Sequence, residues 1–168
     1  MIKYQKIIII GCPGSGKSTL SIKLSKVLNL PLYHMDNLYW KSDKTTISTE
    51  ELKDKLHHIC QKDAWIIDGN YLSTLSLRLA YHPLIIFLDY DTNLCLSSVI
   101  ERIEKKRVDI PWIETEIDPE FMQFIARFNI EQKPMIETLI KNHTVIRFTS
   151  RKQCDQWLTS LDDSIVNL

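Results

Sequence analysis

One short segment near the start of the chain has the residue types and spacing of a phosphate-binding loop. It reads GCPGSGKST over residues 11–19 and follows the apolar run Ile7–Ile10. The pattern G-x-x-x-x-G-K-S places glycines where the backbone must turn tightly and aim its N–H groups at phosphate oxygens. A Gly-Pro turn that merely caps a strand is the alternative, but the buried strand before it and the helix after it favour phosphate binding. We therefore assign nucleotide binding to Gly11, Pro13, Gly14, Ser15, Gly16, Lys17, Ser18 and Thr19.

Two side chains of this loop have individual chemical roles in the pattern. Lys17 is expected to reach the β- and γ-phosphates of a nucleoside triphosphate, and Ser18 to offer its hydroxyl to Mg²⁺. The helix that begins near Lys17 would point the positive end of its dipole at the same anion. ATP and Mg²⁺ are the ligands that follow from this chemistry, although the sequence leaves the choice between ATP and GTP open.

Acidic residues follow three of the predicted strands. These are Asp36, Asp68 and Asp89. Ligands of a parallel α/β sheet bind outside the carboxyl ends of its strands, which is where these acids would stand beside the phosphate loop. Each acid could instead cap the next helix, and for Asp89 this alternative is favoured because Asp91 and Thr92 are typical of a helix start.

The elements that must position these residues alternate between strands and helices. Short apolar runs predict strands over residues 6–10, 32–35, 64–67, 84–88 and 145–148. Apolar periodicity and capping residues predict helices over 17–28, after Ser48, around 75–79, from Asp91 or Thr92, from Asp118 and over 152–161. Pro134 should kink or break the helix that begins at Asp118. This alternation implies right-handed β-α-β crossovers and an α/β fold, a five-stranded parallel sheet with helices on both faces.

Length and composition limit the classes of protein to consider. At 168 residues the chain suits a single domain, interrupted by an aperiodic, mobile excursion at about 105–118 that contains Pro111. Lys+Arg 21 and Asp+Glu 21 balance, which argues against nucleic acid as a partner. The four scattered cysteines, with no signal pattern, predict a reduced, cytoplasmic protein, and no apolar run is long enough for a membrane span. A monomer and a homodimer both stay open.

Three segments together resemble a known family. The phosphate loop, residues 34–40 (HMDNLYW) and residues 65–71 (WIIDGNY) are similar to the adenylate-kinase-like DNA topology modulation proteins. The likeness runs over nearly the whole chain, and the combination D-x-x-x-W with D-G-N-Y is far more specific than the loop alone. It implies a P-loop fold like that of the nucleoside-monophosphate kinases, with strand order 2-3-1-4-5 and a short lid over the nucleotide.

The sequence departs from the wider adenylate kinase group at one motif. The group has D-G-F-P-R where this chain has residues 68–71, and the arginine of that motif grips the acceptor phosphate. Tyr71 stands in roughly that region here, and Arg78 is the nearest candidate replacement. We therefore expect ATP-dependent phosphoryl transfer to a small-molecule acceptor. A nucleoside-monophosphate kinase is the first alternative, and a regulatory module with weak ATPase activity, possibly linked to DNA topology, is the second.

The resemblance also implies roles for individual side chains. Asp68 would hold Mg²⁺ through water together with Ser18, and Asp36 would orient or deprotonate the acceptor hydroxyl, as the equivalent acid does in small-metabolite kinases. Arg107, and after it Arg102, would bring a lid cation to the transferring phosphoryl group, unless both belong to a solvated charged face. Arg151 would lie beside the nucleotide base. The acceptor pocket would be formed by Asp36, Trp40, Asn70, Tyr71 and Arg78, with ordinary aromatic packing as the alternative for Trp40 and Tyr71.

Overall fold

A five-stranded parallel sheet forms the centre of the structure, which is a computed structural model describing the backbone of residues 4–166 and the side chains of residues 4–161. The sheet has the order β2-β3-β1-β4-β5, and every neighbouring pair is parallel. This confirms the predicted fold class and strand order. The strands are β1 (Lys6–Gly11), β2 (Leu32–His34), β3 (Trp65–Asp68), β4 (Leu84–Leu88) and β5 (Val145–Phe148).

Helices cover the sheet, and the central strands are apolar for that reason. The side chains of Ile7–Ile10 and of Leu84–Leu88 are all buried, as expected where both faces of a parallel sheet are covered. None of the helices within the described residues has the length and apolarity that a membrane crossing requires. The helices are α1 (Lys17–Leu28), α2 (Met35–Tyr39), α3 (Thr49–Cys60), α4 (Leu72–Leu79), α5 (Thr92–Glu101), α6 (Pro119–Glu131), α7 (Lys133–Ile140) and α8 (Arg151–Val166).

Side-chain caps start three of these helices where the sequence predicts them. The side chain of Ser48 accepts a hydrogen bond from the backbone N–H of Glu51 at the start of α3. The side chains of Asp91 and Asp118 likewise accept from backbone N–H groups in the first turns of α5 and α6. These bonds satisfy backbone donors that a helix leaves unpaired in its first turn. Pro134 lies in the first turn of α7, after α6 has ended, so the predicted break near this proline is confirmed.

The second strand is shorter than predicted, and this moves Asp36. We expected a strand over 32–35 that ends in an acid, but β2 ends at His34 and the chain turns at once into the short helix α2. Met35 is fully buried as the first residue of that helix, and its side chain packs against Gly69. Asp36 therefore lies in the first turn of a helix instead of at a strand end.

Residues 102–118 form an irregular segment between α5 and α6, which we call the lid. It closes on itself where the N–H of Glu104 donates to the carbonyl oxygen of Glu114, at 2.7 Å. It contacts the opposite side of the fold where Asn37 Nδ2 donates to the carbonyl oxygen of Val108, at 2.8 Å. The aperiodic stretch thus bridges the space above the carboxyl ends of the strands.

Candidate functional site

The phosphate loop connects β1 to α1 through backbone conformations that require glycine. Gly14 has φ +86°, and a Cβ on this residue would lie 2.3 Å from the carbonyl oxygen of Cys95. Gly16 has φ +94° at the N-cap of α1, with open space where its Cβ would be. A side chain is excluded at the first position by contact and disfavoured at both by the left-handed conformation. The loop therefore offers bare backbone to a ligand at the start of α1.

Lys17 lies inside this loop and is half-buried. Its Nζ donates to the carbonyl oxygens of Gly11, at 2.9 Å, and Cys12, at 3.1 Å. Burial lowers the pKa of Lys17, and the charges of Asp36 and Asp68 act in the opposite direction. The ammonium group therefore stands within electrostatic reach of both acids that the sequence analysis selected.

One further feature of the loop, the charge of Lys17, fits a polyphosphate. Burial of the Lys17 charge is costly unless an anion accompanies it. A phosphate group would supply both an acceptor for N–H and O–H donors and the compensating charge.

Asp68 ends β3 beside β1, in register with Ile9. Its Oδ2 accepts from the Ser21 hydroxyl of α1 and lies 2.7 Å from His34 Nδ1. Burial alone would lower the pKa of His34, but the hydrogen bond and charge of Asp68 outweigh it, so the pKa is raised. The carboxylate is thus held from two sides while it lines the cavity next to the phosphate loop.

Asp36 and Tyr71 meet across the cavity from the phosphate loop. The Tyr71 hydroxyl donates to Asp36 Oδ1 at 2.6 Å. Burial raises the pKa of Asp36 above its usual value, although the Tyr71 hydrogen bond and the charge of Lys17 oppose the shift. Burial and the nearby carboxylate also raise the pKa of Tyr71, which remains a hydrogen-bond donor. The pair thus presents a carboxyl group with a raised pKa, held in a defined orientation by a hydrogen bond.

Four aromatic rings form a row that reaches Asp36 through Tyr71, and we call them the aromatic wall: Tyr39, Trp40, Tyr71 and Trp112. Consecutive rings make edge-to-face contacts, with centroids 5.6 Å apart for Tyr39–Trp40, 5.3 Å for Tyr39–Tyr71 and 5.5 Å for Trp40–Trp112. Such pairs favour this T-shaped arrangement because the edge of one ring meets the negative face of the next. The lid supplies Trp112, so the wall joins both sides of the cavity.

Asn70 and Arg78 support the loop between β3 and α4. The Asn70 amide donates to the Gly11 carbonyl oxygen at 2.9 Å and accepts from the Gly11 N–H at 3.0 Å. The fully buried Arg78 guanidinium donates to the carbonyl oxygens of Gly69, Asn70 and Tyr71. Asn70 lines the cavity with its amide already paired, whereas Arg78 lies behind the loop and does not line it.

The lid carries a cluster of four charges. Arg107 bonds Asp109 with two nitrogens, at 2.6 and 3.0 Å, and reaches Glu114 at 2.8 Å. Arg102 Nε lies 3.2 Å from Glu114. Both predicted lid cations line the cavity, but each is paired with an acid of the lid.

One acid of this cluster contacts the predicted metal ligand. The Ser18 hydroxyl donates to Asp109 Oδ2 at 2.6 Å, and Asp109 is only 4% exposed. Burial alone would raise the pKa of Asp109, but the hydrogen bonds from Arg107 and Ser18 lower it, so the group is a carboxylate. The lid therefore places the negative charge of Asp109 next to the Ser18 hydroxyl, which is the group expected to bind Mg²⁺.

These residues line one cavity of about 1300 Å³. Among the described residues no three His, Cys, Asp or Glu side chains converge as a metal site. Ser18 and Asp68 do fit Mg²⁺ as it binds beside nucleotides, with few protein oxygens and the remaining ligands from phosphate and water.

Most of the site residues selected from the sequence line this cavity: Pro13, Gly14, Gly16, Lys17, Ser18, Thr19, Asp36, Trp40, Asp68, Asn70, Tyr71, Arg102, Arg107 and Arg151. Gly11, Ser15 and Arg78 do not line it.

Sequence reasoning missed several contributors. Asp109, Trp112 and Glu114 lie in a stretch without periodicity, where no local signal separates them from solvated residues. His34, which was also not selected, ends β2 in parallel register with Asp68, a pairing that only the structure shows. Asp89 pairs with Lys133 and Arg147, each at 2.7 Å, and stands apart from the cavity.

Comparison with solved structures finds kinases of similar fold. No protein-family model and no curated protein matches the chain. A shikimate kinase from Bacteroides thetaiotaomicron superposes with a TM-score of 0.59 at 17% identity, covering 96% of this chain and 98% of that one. A shikimate kinase from Acinetobacter baumannii in complex with shikimate gives 0.60 at 13% identity, covering 98% and 94%. A gluconokinase from Sinorhizobium meliloti gives 0.59 at 10% identity, covering 96% and 91%.

The similarity extends over nearly the full length of each protein, although sequence identity is low. The sheet order and the place of the phosphate loop between β1 and α1 agree with the expectation drawn from the sequence. The chain therefore has the fold of the P-loop kinases, an α/β fold built on a five-stranded parallel sheet.

Proposed function

We propose that the protein transfers the γ-phosphoryl group of ATP to a hydroxyl group of a small molecule, with Mg²⁺ as cofactor. The observation that carries the proposal is that Asp36, a half-buried carboxyl group, lies in the same cavity as the phosphate loop and close enough for the charge of Lys17 to act on it. The kinases that share the fold support the same class of reaction.

The donor half of the site consists of the phosphate loop and α1. Backbone N–H groups at residues 14–19 and the Lys17 ammonium group would hold the β- and γ-phosphates, exchanging the carbonyl contacts of Lys17 for phosphate oxygens. Mg²⁺, when bound, would add positive charge at the phosphate oxygens. Ser18 would bind it directly, and Asp68 would bind its water.

The acceptor half consists of Asp36, Tyr71 and the aromatic wall. The acceptor hydroxyl gives its proton to Asp36 as its oxygen bonds to the γ-phosphorus, and the bond from that phosphorus to the β–γ bridging oxygen breaks to release ADP. A raised pKa suits Asp36 to this role, because a base is most effective with a pKa near the working pH. The Tyr71 hydroxyl fixes the orientation of the carboxylate.

Arg107 is our first choice for the cation at the transferring phosphoryl group, with Arg102 second. Its partners Asp109 and Glu114 hold it in the lid above the loop. The arriving phosphates would compete with these acids for the guanidinium group. Lid cations of this kind contribute on the order of 10³–10⁵ to the rate of phosphoryl transfer.

Two other functions follow from particular observations. A nucleoside-monophosphate kinase needs a cation at the acceptor phosphate, and the engagement of Arg78 behind its loop counts against this alternative. A nucleotide-dependent regulatory module with slow ATPase activity is favoured by the Ser18–Asp109 hydrogen bond, because that bond occupies a metal ligand. A link to DNA topology rests on the motif resemblance alone.

The direct test is label transfer from γ-labelled ATP with Mg²⁺ and a cytosolic metabolite extract. We expect label in an organic product, and we expect its loss in Lys17→Ala. Lys26→Ala is the matched control because this exposed lysine lies on the same helix away from the cavity. Label released only as inorganic phosphate would reject the kinase and favour the regulatory module.

A further inference from the structure

We infer that the acceptor carries no carboxylate or phosphate group and is an uncharged or cationic hydroxyl compound. This inference rests on the proposed function, because it describes the acceptor side of that site. Its basis is how the charges around the cavity are distributed in the described residues.

The three arginines near the acceptor side, of which Arg78 is fully buried and Arg102 and Arg107 are half-buried, already have partners. Arg78 donates to three backbone carbonyl oxygens behind the β3–α4 loop. Arg102 and Arg107 pair with Glu114 and Asp109 within the lid. Freeing Arg78 would take the donor from these carbonyl oxygens, which is unfavourable. Arg102 and Arg107 are the cations that the proposed function assigns to the transferring phosphoryl group, so they are not available to an anion of the acceptor.

The charged group bonded to the aromatic wall at the acceptor side is the carboxylate of Asp36. Asp36 is half-buried and bonded to Tyr71, and the two cations whose charge reaches it, Lys17 and Arg107, are those assigned to the phosphates. A second anion beside Asp36 would repel its carboxylate and raise its pKa further. A cation there would attract the carboxylate and lower its pKa. A neutral hydroxyl group would accept or donate hydrogen bonds without charge repulsion.

The surface next to Asp36 is aromatic. Trp40 and Trp112 stand edge to face at 5.5 Å, and Tyr39 and Tyr71 continue the wall toward the carboxyl group. Aromatic faces pack well against the apolar faces of rings and attract cations. A carboxylate framed by such rings therefore suits a ring-containing or amine-bearing hydroxyl compound better than an anion.

The cations left for an anionic acceptor are exposed lysines at the rim. Lys44, Lys105 and Lys106 line the mouth of the cavity on the loop after Trp40 and on the lid. Exposed charges are screened by salt and make weak contributions to binding. If an anion were the true acceptor, Lys44 would be needed to hold it, which gives the inference a variant that can contradict it.

The test separates a cytosolic metabolite extract on an anion exchanger at neutral pH and supplies each fraction with γ-labelled ATP and Mg²⁺. We expect organic label from the unbound, non-anionic fraction, at least about ten-fold above the bound fraction. Organic label mainly from the bound fraction would overturn the inference while upholding the kinase. Inorganic phosphate alone from both fractions and from the unfractionated extract would instead reject the proposed function.

Variants then test the wall with the acceptor found. Trp112→Ala should raise the KM for the acceptor at least about ten-fold with the KM for ATP unchanged, and Trp112→Phe should restore most of the affinity. Ile113→Ala is the control, because Ile113 is an exposed neighbour in the lid. A rise in the acceptor KM of ten-fold or more in Lys44→Ala, with Trp112→Ala unaffected, would contradict the inference.

Discussion

Removing the Tyr71 hydroxyl should move the pH dependence of the reaction toward higher pH. In Tyr71→Phe the ring of the aromatic wall stays, and the hydrogen bond of 2.6 Å to Asp36 is lost. That bond stabilises the charged carboxylate, so its loss raises a pKa that burial has already raised. Asp36 must be deprotonated to accept the acceptor's proton, and the acid limb of kcat/KM therefore shifts upward.

The size of the shift follows from the strength of the bond. A hydrogen bond to a charged group contributes about 1.5–3 kcal/mol, and one pKa unit corresponds to about 1.4 kcal/mol. We expect the acid limb to move up by about 1–2 pH units. Below the limb the variant should lose about 10- to 100-fold in kcat/KM, and well above it the two proteins should converge.

The assay is the pH profile of kcat/KM for the acceptor, by coupled detection of ADP. Tyr39→Phe is the matched control, since it removes a hydroxyl from the same wall and keeps the Tyr71–Asp36 bond. Its acid limb should stay in place. An unmoved limb in Tyr71→Phe, or an equal loss at every pH, would refute the assignment of Asp36 as a base tuned by Tyr71.

Three further predictions concern the loops around the site. Asp109→Ala removes the acceptor of the Ser18 hydroxyl, so hydrogen exchange of lid amides in the nucleotide-free protein should accelerate about ten-fold or more; unchanged exchange would show that this contact does not close the lid. Asn70→Ala removes two hydrogen bonds to the Gly11 backbone, so urea unfolding should show a loss of about 1–3 kcal/mol, and undiminished stability would contradict the supporting role. Gly14→Ala would place a Cβ 2.3 Å from a carbonyl oxygen of α5; calorimetry should show nucleotide binding lost with the circular dichroism spectrum retained, and wild-type affinity would contradict the geometry of the loop.

The fold could be predicted because its signals are local. Buried strands of a parallel sheet are continuous apolar runs, as at 7–10 and 84–88. Ser48 and Asp118 mark helix starts by a short-range hydrogen bond, and the phosphate loop has a fixed spacing. Alternation of such elements leaves few topologies, and the resemblance supplied the strand order that the structure has.

The rest of the site depends on contacts between distant residues, which local patterns do not encode. Arg78 was the candidate replacement for the arginine that grips the acceptor phosphate, but it donates to three carbonyl oxygens of a neighbouring loop. Arg107 was expected to be a lid cation, but its pairing with Asp109 and Glu114 could not be foreseen because both acids lie in a stretch without periodicity. Helix α2 was missed because an apolar run of a few residues is compatible with either a strand or a helix.

The most direct test of the account measures phosphoryl transfer and ATP binding side by side in Asp36→Asn. This change keeps the size of the side chain and removes the base, so transfer to the acceptor should fall by about 10²–10⁴ with the affinity for Mg-ATP unchanged. Asp43→Asn, at an exposed acid of the loop after Trp40, should behave like the wild type. Asp36→Asn with undiminished transfer would contradict the central claim that this carboxyl group receives the acceptor's proton.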